Sequence, residues 1–209
     1  MNSLQKMLGK EDKFFQLLAS SAEEAQAAAQ ALRRFLESEP GRRNLQGLSE
    51  VRRKNKAITA EINEILCTNF VSSLEAEDIE ALSNSIYKIP KTVEKIAERI
   101  LLAPQHLNSI DLTPLIALVE SCTEVLLQMV RESAQGMTKN RVKTLNDKLQ
   151  SLEGEADKTV LQMLGAIYNE TRDPGRVAFL KDIFELLEKA TDRCRDAGNT
   201  VFRITLKNT

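Results

Sequence analysis

The sequence predicts an all-α protein built as two similar three-helix units. Three observations carry that expectation. The 209 residues show an excess of Ala, Leu, Glu and Lys over β-branched and turn residues, which favours helices. Apolar residues recur at threes and fours in six segments, as helical stripes do, and no segment alternates like a strand. The second and third segments also align on the fifth and sixth at one offset of about 101 residues.

The first segment runs from about Glu11 to Glu37 and is stopped by Pro40-Gly41. Its stretch AEEAQAAAQALRR is rich in the strongest helix former and suits close packing inside a bundle. The second, from about Arg42 to Phe70, presents Leu45, Leu48, Val51, Ile58, Ile62 and Ile65 on one face. The third opens at Ser72, with Glu75 three residues on as in a capping box, and ends before Pro104. Pro90 lies inside it. A proline in mid-helix removes a backbone hydrogen bond and clashes with the carbonyl four residues earlier, so a kink is expected between Ile86 and Pro90.

The fourth segment starts with Thr113 as cap and Pro114 in the first turn, and it stops at Gly136. The fifth covers about Thr138 to Asn169, with Leu149, Leu152, Ala156, Val160 and Met163 on one face. The sixth follows Asp173-Pro174 and continues nearly to the C-terminus. The repeat places Ser72 on Asp173, and Leu48, Val51, Ile79, Leu82 and Ile86 on Leu149, Leu152, Leu180, Ile183 and Leu187. Residues 1–104 are therefore read as a first three-helix repeat and 105–209 as a second.

Charge and cysteine content exclude several classes. The 29 Lys and Arg nearly balance the 30 Asp and Glu, leaving a net charge of −1, so no global field draws nucleic acid or anionic lipid. The basic stretch GRRNLQGLSEVRRKNK lacks aromatic stacking residues and any recognition motif, and it reads as a solvated helix face. Cys67, Cys122 and Cys194 are far apart and odd in number, which argues against a disulfide framework or a thiolate zinc site and fits a reducing compartment. The N-terminus lacks an apolar signal core, and runs such as TPLIALVE are too short to span a bilayer, so a cytoplasmic location is expected.

Chemistry concentrates in the second repeat. SLEGEADKTV holds Glu153 and Asp157, and LLEKATDRCRD holds Glu188 and Asp192; both read E-x-x-x-D. A spacing of four stacks each pair on one helix face. If the two helices are neighbours, four carboxylates converge and repel one another unless a cation joins them. Oxygen-only ligands suit Mg, Ca, Mn or iron, and the lack of nearby His and Cys disfavours a structural zinc site. The plainer reading makes these solvated positions, paired with Lys148, Lys158, Lys189 or Arg193. At the same offset the first repeat carries Arg52, Lys56, Tyr87 and Lys91, with Lys88 beside them. Basic groups cannot hold a cation, so Arg52, Lys56, Lys88 and Lys91 are candidates for an anion or partner contact, or simply solvated charges.

Several stretches resemble the PhoU-like phosphate transport regulators that accompany Pit-type phosphate transporters. KEDKFF (Lys10 to Phe15) is similar to that family's opening, and ITAEI (Ile58 to Ile62) and NFVSSLEAEDIEALSNSI (Asn69 to Ile86) to its hairpin into the third helix. LEGEADK and LLEKATDRC resemble its metal-binding elements, and the likeness covers nearly the whole chain. The resemblance implies two three-helix bundles packed side by side, each binding a multinuclear iron or zinc cluster. It carries ligand roles only to Glu153, Asp157, Glu188 and Asp192, because Arg52, Lys56, Tyr87, Lys88 and Lys91 stand where the first bundle's acids are expected.

The expected function is regulation or assistance of inorganic phosphate uptake, through contact with a Pit-type membrane transporter. A homo-oligomer held peripherally at the inner membrane through its partner is also expected, with no nucleic acid and no small-molecule substrate. The alternative is a metal-free helical adaptor that docks proteins through basic and acidic patches. Catalysis has little support. The only histidine, His106, lies in a connecting stretch, so the E-x-x-H pairs of di-iron bundles are missing, as are a Gly-rich phosphate loop and G-x-S-x-G.

Overall fold

The structure is a computed structural model that describes residues 3–68, 73–135 and 138–207. Six helices follow in order: α1 Ser3–Glu37, α2 Gln46–Thr68, α3 Ser73–Leu102, α4 Thr113–Ser133, α5 Lys139–Glu170 and α6 Pro174–Lys207. Single 3-10 turns at Pro40–Arg42 and Pro104–Leu107 occupy two proline-bearing links. Among the described residues there is no strand, so the all-α expectation holds. Ser72 and Gly136, read as a cap and a stop, lie outside the described residues, as does Phe70.

The helix ends show where local chemistry overrides periodicity. α2 begins at Gln46 and not near Arg42, because Pro40–Arg42 close a 3-10 turn and the Asn44 side chain then accepts the Gln46 N–H at 3.0 Å. At α4 the capping acceptor is Asp111, whose Oδ1 accepts the Thr113 N–H at 2.9 Å; the role expected of Thr113 belongs to the residue two places earlier. Thr138 does cap α5, accepting from the Arg141 N–H, and Asp173 caps α6, accepting from the Gly175 N–H at 2.9 Å. α3 runs unbroken through the buried Pro90, flanked by the fully buried Ile89 and Val93. The lost hydrogen bond at the proline does not end the helix, since burial of its apolar face holds it.

Within each unit the three helices pack on one another: α2 lies on α1 and α3, and α5 on α4 and α6. The units join along two further pairs, α1 with α4 and α3 with α6. Ion pairs fix both as antiparallel. Arg33 of α1 meets Glu120 and Glu23 meets Arg131, while Asp78 of α3 meets Lys207 and Arg99 meets Asp182. The result is a four-helix centre of α1, α3, α4 and α6, with α2 and α5 applied to opposite edges. Leu32, Ile62, Ile96, Leu126, Met129, Leu149 and Phe184, drawn from all six helices, are fully buried. The alanine-rich stretch of α1 explains how one helix can be covered on three sides: Ala22, Ala25, Ala28 and Ala29 are buried and let neighbours approach closely.

α4 is longer than the apolar runs of the sequence suggested. At 21 residues it is long and apolar enough to cross a membrane by those two measures, yet Leu115, Val119, Leu126 and Met129 are buried in the bundle. Its apolarity is spent on the shared core.

One contact sets the distance between α5 and α6. Gly198 is buried, and a Cβ there would run into the tip of Leu149, itself fully buried with little room to turn. The helices therefore approach more closely than a side chain permits. Gly198→Ala is expected to cost about 1–3 kcal/mol through overpacking. Gly154→Ala, where nothing lies within 4 Å of the new Cβ, should instead stabilise by about 0.5–1 kcal/mol through helix propensity. Denaturant unfolding of both variants measures the contrast.

Candidate functional site

The close α5–α6 approach places the E-x-x-x-D pairs opposite one another one turn from the Gly198–Leu149 contact. Glu153, whose side chain is 13% exposed, faces Arg195 and forms an ion pair with it. Arg195 also reaches Asp192 at 3.0 Å and Asp196 at 3.2 Å. Burial pushes the Glu153 carboxyl above its ordinary range, against the pull of Arg195, and the neighbouring Asp157 and Asp192 add to the rise. Glu188 is raised by burial first, and then by Asp157, Asp192 and Glu185. The four carboxylates therefore share one electrostatic neighbourhood, as the repeat spacing suggested, but an arginine already stands among them.

Lys148, Lys158 and Lys189 are exposed, and Arg193 faces Asp196 at 3.8 Å. None of these matches the position of Arg195. Beneath the site lie two buried thiols, Cys122 of α4 and Cys194 of α6. Burial pushes Cys122 up to about 12, with Glu153 adding to the rise, and raises Cys194 as well. Both remain protonated near neutral pH and are poor ligands or nucleophiles there.

The first unit builds the equivalent place with different groups. Arg52 of α2 pairs with Glu94 of α3, whose side chain is only 6% exposed. The Ser49 hydroxyl donates to the same carboxylate at 2.6 Å. Hydrogen bonds to Glu94 and then to Tyr87 hold the Arg52 guanidinium above its usual range. Of the candidates for an anion or partner contact, Arg52 is thus committed to an internal pair, while Lys56, Lys88 and Lys91 are exposed.

Reasoning from the sequence missed Glu94 and Arg195. They stand at the same offset of about 101 residues as the positions already compared, and each is charged, with opposite sign. That was the signal available.

The iron or zinc cluster implied by the sequence resemblance needs several free ligands pointing at one place. Among the described residues no three Asp, Glu, His or Cys side chains are grouped as a metal-ligand set. Arg195 also engages Glu153 and Asp192, two of the four residues in question. As arranged, these side chains do not fit a multinuclear cluster. Elsewhere, two open depressions mark the surface. One, at the α5–α6 turn, includes Tyr168, Arg172, Val177 and Lys181; the other includes Phe35, Arg42 and Leu48. Neither contains a carboxylate or a histidine for acid–base work.

The raised Glu188 carboxyl has a pH consequence. Its protonated form is favoured on folding, so its stabilising contribution is present at low pH and is lost as pH rises through the folded-state value. Glu188→Gln is expected to raise the melting temperature over the parent at about pH 7 and to leave it nearly unchanged at about pH 4. Thermal melts at the two pH values check this.

The chain matches no model of a known protein family. It is 23% identical, over 207 residues and 97% of each chain, to a protein of Rhizobium meliloti (strain 1021) provisionally named a Pit accessory protein. It is 22% identical over 142 residues to the UPF0111 protein YkaA of Bacillus subtilis (strain 168), covering 66% of this chain and 67% of that one. Among solved structures, a provisionally assigned PhoU-like phosphate regulatory protein of Shewanella oneidensis MR-1 superposes with a TM-score of 0.74 at 18% identity, over 94% of this chain and all of the other. A second PhoU-like protein of that organism gives 0.66 at 17% identity, over 94% and 97%. The chain is thus similar over nearly its full length to the Rhizobium protein, and it shares the fold of these two PhoU-like structures.

Proposed function

We propose that this chain regulates or assists inorganic phosphate uptake by binding a Pit-type membrane transporter. The observation that carries the reading is the similarity along 97% of both chains to a protein provisionally named a Pit accessory protein. The contact surfaces differ in sign between the two units. Lys56, Lys88, Lys91 and Lys95 are exposed on the first, while Asp157 is exposed and Glu188, Asp192 and Asp196 are half-buried on the second. Complementary patches of this kind steer association and fix orientation more than they supply affinity. The protein would lie peripherally at the cytoplasmic face of the inner membrane, and the opposite patches would also suit pairing between copies.

Purifying the tagged full-length chain from membranes of its own host tests the reading. A phosphate transporter should co-purify, and Lys88→Glu with Lys91→Glu should reduce its recovery about tenfold, the loss shrinking as salt is raised. Recovery of no phosphate transporter, or unchanged phosphate uptake in a strain lacking the protein, rejects it.

A further inference from the structure

We infer that Arg195 is the resident cation of the second unit's acidic cluster, standing in for a metal ion, and that it forms the charge-reversed counterpart of the Arg52–Glu94 pair. Glu153 and Arg195 join α5 to α6, and Arg52 and Glu94 join α2 to α3. Both pairs fall on the repeat offset of about 101 residues, so Arg52 corresponds to Glu153 and Glu94 to Arg195. The second and third helices of each unit are thus fastened at the same place by the same kind of bond with its polarity exchanged. Coulomb attraction depends on the product of the charges, so a double reversal preserves the pair while either single reversal sets like charges face to face.

The reversal extends around the pair. Lys56 corresponds to Asp157, Lys91 to Asp192 and Lys95 to Asp196. In the first unit the buried Glu94 is the lone acid among bases at these positions, and in the second Arg195 is the lone base among acids. Each unit thus has one charge opposite in sign to the rest of its cluster, the buried Glu94 in the first and the partly exposed Arg195 in the second. A divalent ion in the second unit would have to stand beside a guanidinium and compete with it for Glu153 and Asp192, and repulsion at that range is costly. This inference does not depend on the transporter reading, and its tests use the purified chain alone.

Two measurements decide it. The first is the cycle of Glu153→Arg, Arg195→Glu and their combination. Each single reversal should lower the melting temperature by about 5–10 °C, whereas the double reversal should recover about half of the loss of the worse single, the remainder being repulsion between the new carboxylate and Asp192 and Asp196. The second is metal content and melting after incubation with zinc or ferrous iron alone, followed by desalting. The parent should retain no stoichiometric metal, and neither ion nor EDTA should move its melting temperature. Arg195→Gln should melt lower than the parent and be raised by either ion, because the cluster then lacks its cation. The inference is overturned by stoichiometric metal on the parent with melting lowered by EDTA, by a double reversal no more stable than the worse single, or by a folded Arg195→Gln indifferent to both ions.

Discussion

Everything in this fold depends on covering apolar surface that three helices cannot bury by themselves. In each unit the second helix closes only one side of the first and third, so α1 with α3 and α4 with α6 keep an apolar face that must meet another. Joining the units along α1–α4 and α3–α6 satisfies both at once, and Leu32, Ile96, Leu126 and Phe184 become fully buried. Burial of such side chains is worth about 1.5–3 kcal/mol each. The ion pairs that cross the same seams are mostly half-exposed and set direction more than stability. α1 can be enclosed because alanine occupies its middle interior positions, Ala22, Ala25, Ala28 and Ala29, between the larger buried Leu18 and Leu32.

Local requirements then act inside that frame. Gly198 brings α5 and α6 together, and this closeness puts Glu153 within reach of Arg195 one turn away. In the first unit Ala97 stands at the position matching Gly198, buried, with Leu48 matching Leu149. The two units therefore repeat a steric plan while differing in charge. Apolar positions are held by volume, which tolerates little change. Paired charges are held by the sign of a product, which allows both partners to change together.

Much of this was legible in the sequence. Leu48 and Leu149, Leu82 and Ile183, and Ile86 and Leu187 align in the repeat and are all buried, because stripe periodicity reports directly on which face is covered. Helix starts were less legible. Asn44 and Asp111 take backbone N–H groups two residues on, so the caps fall where a side chain can reach and not where the apolar pattern begins. The spacing of Glu153, Asp157, Glu188 and Asp192 stacks each pair on one helix face, but that the two faces meet depended on α5 and α6 being neighbours, and the counter-charge was not anticipated. Arg195 lies three residues past the motif's aspartate, on a face that reaches across to α5 only because the helices pack so closely.

The reversed clusters are local. Over their whole lengths α2 with α3, and α5 with α6, each mix acids and bases, so the reversal is a pattern of a few side chains and not a separation of charge across the molecule. Its field is felt over about a Debye length, roughly 10 Å at 0.1 M salt, and a charged surface meets it only on close approach.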